Sequence, residues 1–339
     1  MFFMLYLQRF ISTNSGHRPA TEALHMSNLI FSLNSTLPIF IVIIIGYVLG
    51  QKKFLTKEFC SVADKLVFRV GLPAMLFCDM TSIDLTENFN GKFVLFCFGA
   101  TAISIIVIWI LARIFLRDKS LTGEFVQACY RSSAAILGVA FIQNIYGTSG
   151  MAPLMMLGSV PLFNIFAVLI LTIENPSHKG KLHPGAILYG ILTNPILDGI
   201  LIGTIYNLLP IGLPAMAQKT FNTLGSLTTP LALLSIGASF EGAKAIKKLG
   251  PTVAASFCKL MLLDMIFLPI AIKFGFRGQE LIALLIMLGS PTTPEYYVMS
   301  KNMGHDGTLS ASCVAATTLF SAVTMTLWIY VLSAGGFLA

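Results

Sequence analysis

Apolar residues in this chain run in long blocks rather than alternating or lining one helical face. Blocks of about 20 residues, long enough as helices to cross roughly 30 Å of hydrocarbon, fall at 29–50, 61–79, 93–116, 124–146 and 151–173. A second set falls at 184–208, 219–240, 251–275, 280–302 and 308–333. Polar residues are confined to short connectors, which leaves no stretch for a soluble domain. The pattern predicts an all-α polytopic membrane protein of ten transmembrane helices.

The helix-breaking residues inside these blocks recur at one offset, 157 positions, as from Pro38 to Pro195. Thr36, Pro38 and Gly46 return as Thr193, Pro195 and Gly203. Pro73 returns as Pro230, Ser133 as Ser290, Gly147 as Gly304, Gly150 as Gly307, and Leu162-Phe163 as Leu319-Phe320. Proline and glycine fix backbone geometry, so their agreement at one register means more than matched Leu or Ile. The spacing predicts two five-helix repeats, 29–173 and 184–339, joined by a connector at 174–183. Residues 1–28 read as an N-terminal extension, either disordered or an upstream start, because Met26 opens a more natural beginning.

Charge then assigns sides. Connectors after spans 1, 3, 5, 7 and 9 carry twelve basic residues, among them Lys52, Arg117, Lys181, Lys247 and Lys301. Those after spans 2, 4, 6 and 8 carry four: Lys92, Lys219, Lys273 and Arg277. Positive charge stays cytoplasmic, so both termini face outward in a cell (plasma) membrane. An odd number of spans per repeat inverts the second repeat, the arrangement that permits alternating access.

Composition agrees: 55% of the 339 residues are hydrophobic and 11% charged, against about 25% charged in soluble domains. The net charge of +7 follows from the connectors, not from a basic cluster, so nucleic acid is not a predicted partner. The six cysteines and five histidines show no metal-ligand spacing, and no cofactor is expected beyond a coupling H⁺ or Na⁺. The lipid bilayer and a small solute are the predicted partners; a homodimer stays open.

Spans 4 and 9 are the weakest helices. Span 9 reads Ser290-Pro291-Thr292-Thr293-Pro294-Glu295. Two prolines three apart remove two backbone donors, which is tolerable in hydrocarbon only where the break is buried or wet. The freed groups and the new helix N-terminus can hold an ion. By the offset, its partner is Arg131-Ser132-Ser133 through Gly138, without proline. Glu295 is an ionisable group inside a span, hence a candidate coupling residue, or a carboxylate nearer the cytoplasmic end facing water. Arg131 either pairs with a substrate carboxylate or snorkels to the interface. Asn194-Pro195 with Asp198 opens or lines span 6 and Thr228-Thr229-Pro230 breaks span 7; beside these kinks, amide and hydroxyl groups either bind a carboxylate or satisfy the backbone locally. Lys259 and Asp264 in span 8 are expected to serve packing or pairing.

These residues resemble the auxin efflux carrier family, which includes PIN-type auxin carriers and bacterial malate and malonate permeases, related to the bile-acid:sodium symporters. The likeness runs from about Met26 to the end: Leu37-Pro38-Ile39-Phe40, Leu72-Pro73-Ala74, Arg131-Ser132-Ser133, Asn194-Pro195, and Ser290-Pro291-Thr292-Thr293 with Asn302-Met303-Gly304. The resemblance implies a scaffold of spans 1, 2, 6 and 7 and a mobile transport domain of spans 3–5 and 8–10. Spans 4 and 9 would cross at mid-membrane and bind an organic anion there. The implied substrate-binding set is Arg131, Ser132, Ser133, Gly138, Asn194, Ser290, Pro291, Thr292 and Thr293, with Glu295 and Asp198 for coupling. The chain departs from the family at Val139-Ala140, where a proline follows the glycine of span 4, and at Glu295, where a small residue is expected. The resemblance implies a carrier of a mono- or dicarboxylate such as malate, malonate or an auxin-like acid. A sodium-coupled bile-acid-type symporter is the alternative. An intramembrane aspartyl enzyme using Asp198 and Asp264 is more remote, since neither sits in a GxGD-like setting.

Overall fold

In the computed structural model the described residues are 20–82, 89–134, 139–146, 150–176, 185, 189–190, 192–209 and 212–338. Among them the regular structure is entirely helical. Single helices fill four of the apolar blocks: α1 (Ala20–Gln51), α4 (Gly91–Phe115), α7 (Ala152–Ile173) and α16 (Thr308–Ala334). The block at 61–79 holds α2 (Lys57–Leu66) and α3 (Leu72–Thr81), joined by a π-helical turn, Val67–Gly71, just before Pro73. The block at 124–146 holds α5 (Thr122–Tyr130) and α6 (Val139–Tyr146). In the second half lie α8 (Pro195–Leu208), α9 (Ala215–Ser226), α10 (Thr228–Ala238), the short α11 (Gly242–Lys247), α12 (Leu249–Phe257), α13 (Leu263–Lys273), α14 (Gln279–Gly289) and α15 (Pro294–Asn302).

Among the described residues four rods are long and apolar enough to span a bilayer: α4, α7, α16 and Leu249–Lys273, with hydropathies from 1.6 to 2.6. The outward faces of α1 and α4 are apolar, with Ile41, Ile44, Leu95, Ile103 and Ile114 exposed. Apolar exposure at that density belongs to a lipid-facing surface. This is the architecture of a multi-pass membrane protein. Helix α1 begins at Ala20, nine residues before the predicted block, while residues 1–19 lie outside the described residues.

Ends are closed by local chemistry where the sequence offers it. Thr56 caps α2 by accepting from Phe59 N at 3.2 Å, and Asn90 caps α4 through Phe93 N at 3.1 Å. The Asn90 amide also donates to Glu280 Oε1 at 2.8 Å, tying α4 to α14.

Among the helix pairs that pack at backbone contact are α1 on α10 and α3 on α8. A Cβ on Gly46 would lie 2.5 Å from Leu234 O, and one on Gly203 would lie 2.9 Å from Phe77 O. Gly46 and Gly203 are partners by the sequence offset, and so are Phe77 and Leu234. The same contact is made twice with the two repeats exchanged. At the centre sits the ninth block, buried without interruption from Leu281 to Ser300.

Candidate functional site

The site forms where two helices stop facing one another. Helix α5 ends at Tyr130, and Arg131 turns into an extended conformation (φ −66°, ψ 130°). Helix α14 ends at Gly289, with Ser290 (φ −72°, ψ 160°) and Thr293 (φ −80°, ψ 147°) also extended. Span 4 therefore breaks without proline. Ser133 N donates to Pro291 O at 3.0 Å, a backbone bond made across the crossing in place of a helical one. Ser132 Oγ donates to Ile286 O at 2.9 Å and lies 2.5 Å from Ser290 Oγ. Thr292 turns the other way, its N and Oγ1 meeting Thr317 Oγ1 of α16 at 3.1 and 2.8 Å.

The new helix ends carry matching charge. Arg131 stands at the C-terminal end of α5 and Glu295 in the first turn of α15, each opposite in sign to the local helix dipole. Arg131 does not snorkel, being only 4% exposed. Its Nε donates to Thr293 Oγ1 at 3.0 Å and its Nη2 to Asn164 Oδ1 at 2.9 Å, while Nη1 is buried without a partner. Glu295 is 1% exposed, so it does not face water, and it accepts from Thr229 Oγ1 at 3.0 Å.

Arg131, Ser132, Ser133, Thr293 and Glu295 line one cavity of about 40 Å³, with Asp79 of α3 and Asn164 of α7. At about 10–15 Å³ per water site, that volume holds a carboxylate-sized group. Behind the crossing, Lys259 is fully buried and donates to Leu288 O and, at 3.4 Å, to Met287 O. It thereby satisfies last-turn carbonyls of α14. Asp264 is equally buried and presses on the break, since a Cβ on Gly289 would lie 1.9 Å from Asp264 Oδ2.

Not every expected residue converges. Asn194 caps α8, its Oδ1 accepting from Ile196 N at 3.0 Å, and Asp198 is exposed; neither lines the cavity. Gly138 lies outside the described residues. Asp79, Asn164 and Thr317 were not anticipated, whereas Thr229, expected to bind a carboxylate or satisfy the backbone beside Pro230, donates to Glu295. Asn164 is a single polar residue within an apolar run, Asp79 lies near the end of one, and Thr317 stands beside Thr318, so none of the three carried a local signal.

A second cavity, about 370 Å³, lies among α2, the α10–α11 connector, α15 and the start of α16. Lys57, Lys65, Lys244 and Lys301 line it with Asp64, Glu241 and Asp306. Lys244 Nζ meets Glu241 Oε2 at 2.9 Å; this hydrogen bond holds the exposed Glu241 carboxyl below its ordinary pKa and raises that of Lys244.

Residues 31–329 match the family described as membrane transport protein. An uncharacterized transporter of Methanothermobacter thermautotrophicus is 22% identical over 305 residues, covering 89% of this chain and 98% of its own length. The uncharacterized transporter YfdV of Escherichia coli K12 is 24% identical over 317 residues, covering 89% and 98%. An uncharacterized transporter of Methanocaldococcus jannaschii is 23% identical over 309 residues, covering 88% and 98%.

Proposed function

The chain belongs to the membrane transport protein family, the auxin-efflux-carrier-like group its motifs resemble, and from that premise we propose that it carries a small organic anion by alternating access. It is a transporter and not an enzyme. The observation that carries the anion reading is the Arg131 guanidinium. It is buried where two helices break, oriented by Thr293 and Asn164, with one nitrogen unpartnered, in a residue that lines a carboxylate-sized cavity. A buried cation lacking an anionic partner is unfavourable, and a substrate carboxylate would supply that partner.

The moving parts follow from the repeat. The twice-made contacts of α1 on α10 and α3 on α8 support an inverted ten-span repeat, with spans 1, 2, 6 and 7 as the scaffold. Spans 3–5 and 8–10 would rock against it, carrying Arg131 and Glu295 past Asp79 and Thr229. The larger cavity, lined by Lys57, Lys244 and Lys301 of the basic connectors and by Lys65 of span 2, is then the cytoplasmic vestibule of a cell-membrane carrier.

Uptake into proteoliposomes tests the reading. A panel of radiolabelled pyruvate, malate, malonate and indole-3-acetate is expected to give saturable flux for at least one acid. No flux for any of them, with or without ion gradients, would count against an organic-anion carrier.

A further inference from the structure

The cavity beside Arg131 holds more charge than an anchor needs. Asp79, Arg131 and Glu295 reach it from three elements: α3, the end of α5 and the first turn of α15. Among the described residues no ion pair joins Arg131 to either carboxylate. Its guanidinium is held by neutral oxygens instead, with Nη1 buried and unpartnered. Other titratable groups nearby are Cys78, beside Asp79, and Tyr130, whose hydroxyl is committed to Phe163 O at 3.2 Å. The elements packed against α15 add Asp64 of α2, the exposed Arg69 of the π-helical turn, Cys313 of α16 and the buried Glu124 of α5, which is held by Gly307 N and Ser310 N. On the helices packed against α3, Asp198 of α8 and Lys219 of α9 are exposed, and Tyr206 of α8 meets Phe77 edge-on. Helix α10 offers Glu295 only the neutral Thr229.

Resting on the carrier reading, we propose that each monocarboxylate crosses with one proton held on Glu295, and that Asp79 enforces this pairing from the scaffold. At the cavity the mobile body contributes Arg131 and Glu295, so its charge there balances when the site is empty. A monocarboxylate on Arg131 Nη1 leaves it one negative charge in excess. Adding a proton from water to a Glu295 carboxylate oxygen, forming one O–H bond, restores neutrality. A body that moves through the membrane interior with uncompensated charge is disfavoured. Asp79 stays with α3 and makes the unprotonated, loaded body worse, setting three negative charges against one cation. A dicarboxylate would leave a net charge even with the proton, so the charge balance selects monocarboxylates.

The test uses full-length protein in proteoliposomes with [¹⁴C]pyruvate and [¹⁴C]malonate. A gradient of one pH unit, acid outside, should accumulate pyruvate up to about tenfold, the ratio one proton per substrate allows. A potassium–valinomycin potential alone should give no accumulation, and malonate should respond poorly to either. Glu295→Gln should lose the pH-driven component and become potential-driven. Asp79→Asn should keep pH-driven uptake but gain a potential-driven leak, which Asp79→Glu should remove. Exchange of labelled for unlabelled pyruvate reports folding in each variant, with Glu295→Asp as the second variant should the amide fail to fold. Wild-type accumulation driven by potential alone, pH-driven uptake surviving in Glu295→Gln, or an Asp79→Asn variant as tightly coupled as wild type would each overturn the inference. Wild-type vesicles that move none of the four acids of the uptake panel would instead overturn the carrier reading, and this inference with it.

Discussion

Gly289 is the residue on which the span 9 break turns. Its missing Cβ leaves room for the Asp264 carboxylate, which would otherwise meet that carbon at 1.9 Å. Gly289→Ala cannot be absorbed without moving Asp264 or the break itself, and overpacking of this kind costs about 1–3 kcal/mol. A lower melting temperature in detergent is therefore expected. Asp264→Ala removes the obstruction, so the glycine substitution should cost less in that background, with a coupling of roughly 1 kcal/mol. Additive effects of the two changes would contradict the contact. The residue scale is also where the sequence misleads most. Asn194 before Pro195 looks like a ligand, yet an Asn followed by Pro at a helix start is a capping signature, and the structure uses it so. Asp79 gave no warning because a lone acid near the end of an apolar run reads as interfacial. Its place in the cavity depends on how α3 meets α15.

At the scale of elements, the prolines and glycines carried most of the legible information. Pro291 and Pro294 mark the break that ends α14 and begins α15. The offset points to the facing break, which forms at Arg131–Ser133 without a proline because Ser133 N bonds across to Pro291 O. That bond is tertiary and has no local signature. Lys259 is a similar case: its spacing from Asp264 suggests pairing, but it caps the carbonyl end of α14 instead. The glycines between helices give a prediction of their own. Ala exceeds Gly as a helix former by about 0.8–1.0 kcal/mol, so on propensity alone Gly46→Ala and Gly203→Ala should stabilise. Their Cβ atoms would instead sit 2.5 and 2.9 Å from the carbonyls of Leu234 and Phe77. Backbone cannot retreat as a side chain can, so net destabilisation is expected for both, larger for Gly46→Ala. Thermal unfolding of the two variants in one detergent checks the order, and a gain in melting temperature for either would contradict the close packing.

For the whole molecule, the apolar blocks made a multi-pass helical protein legible from the outset, since hydrocarbon leaves few other solutions to backbone hydrogen bonding. The resemblance implied a grouping of spans 1, 2, 6 and 7, and the contacts at Gly46 and Gly203 join span 1 to span 7 and span 2 to span 6. What a repeat cannot encode is where the halves differ. Glu295 has no acidic counterpart in the first half, and Arg131 has none in the second, where Leu288 stands. The proposed function gathers at that asymmetry, with one cation and one acid at the ends of two crossing half-helices. Its central claim is that Arg131 seats the carboxylate, and the affinity of purified wild type and Arg131→Gln for the transported acid tests it most directly. A hydrogen bond to a charged group contributes about 1.5–3 kcal/mol, so the variant should bind roughly ten- to a hundredfold more weakly while melting as a folded protein. An Arg131→Gln protein that binds and carries the acid as the wild type does would contradict the account.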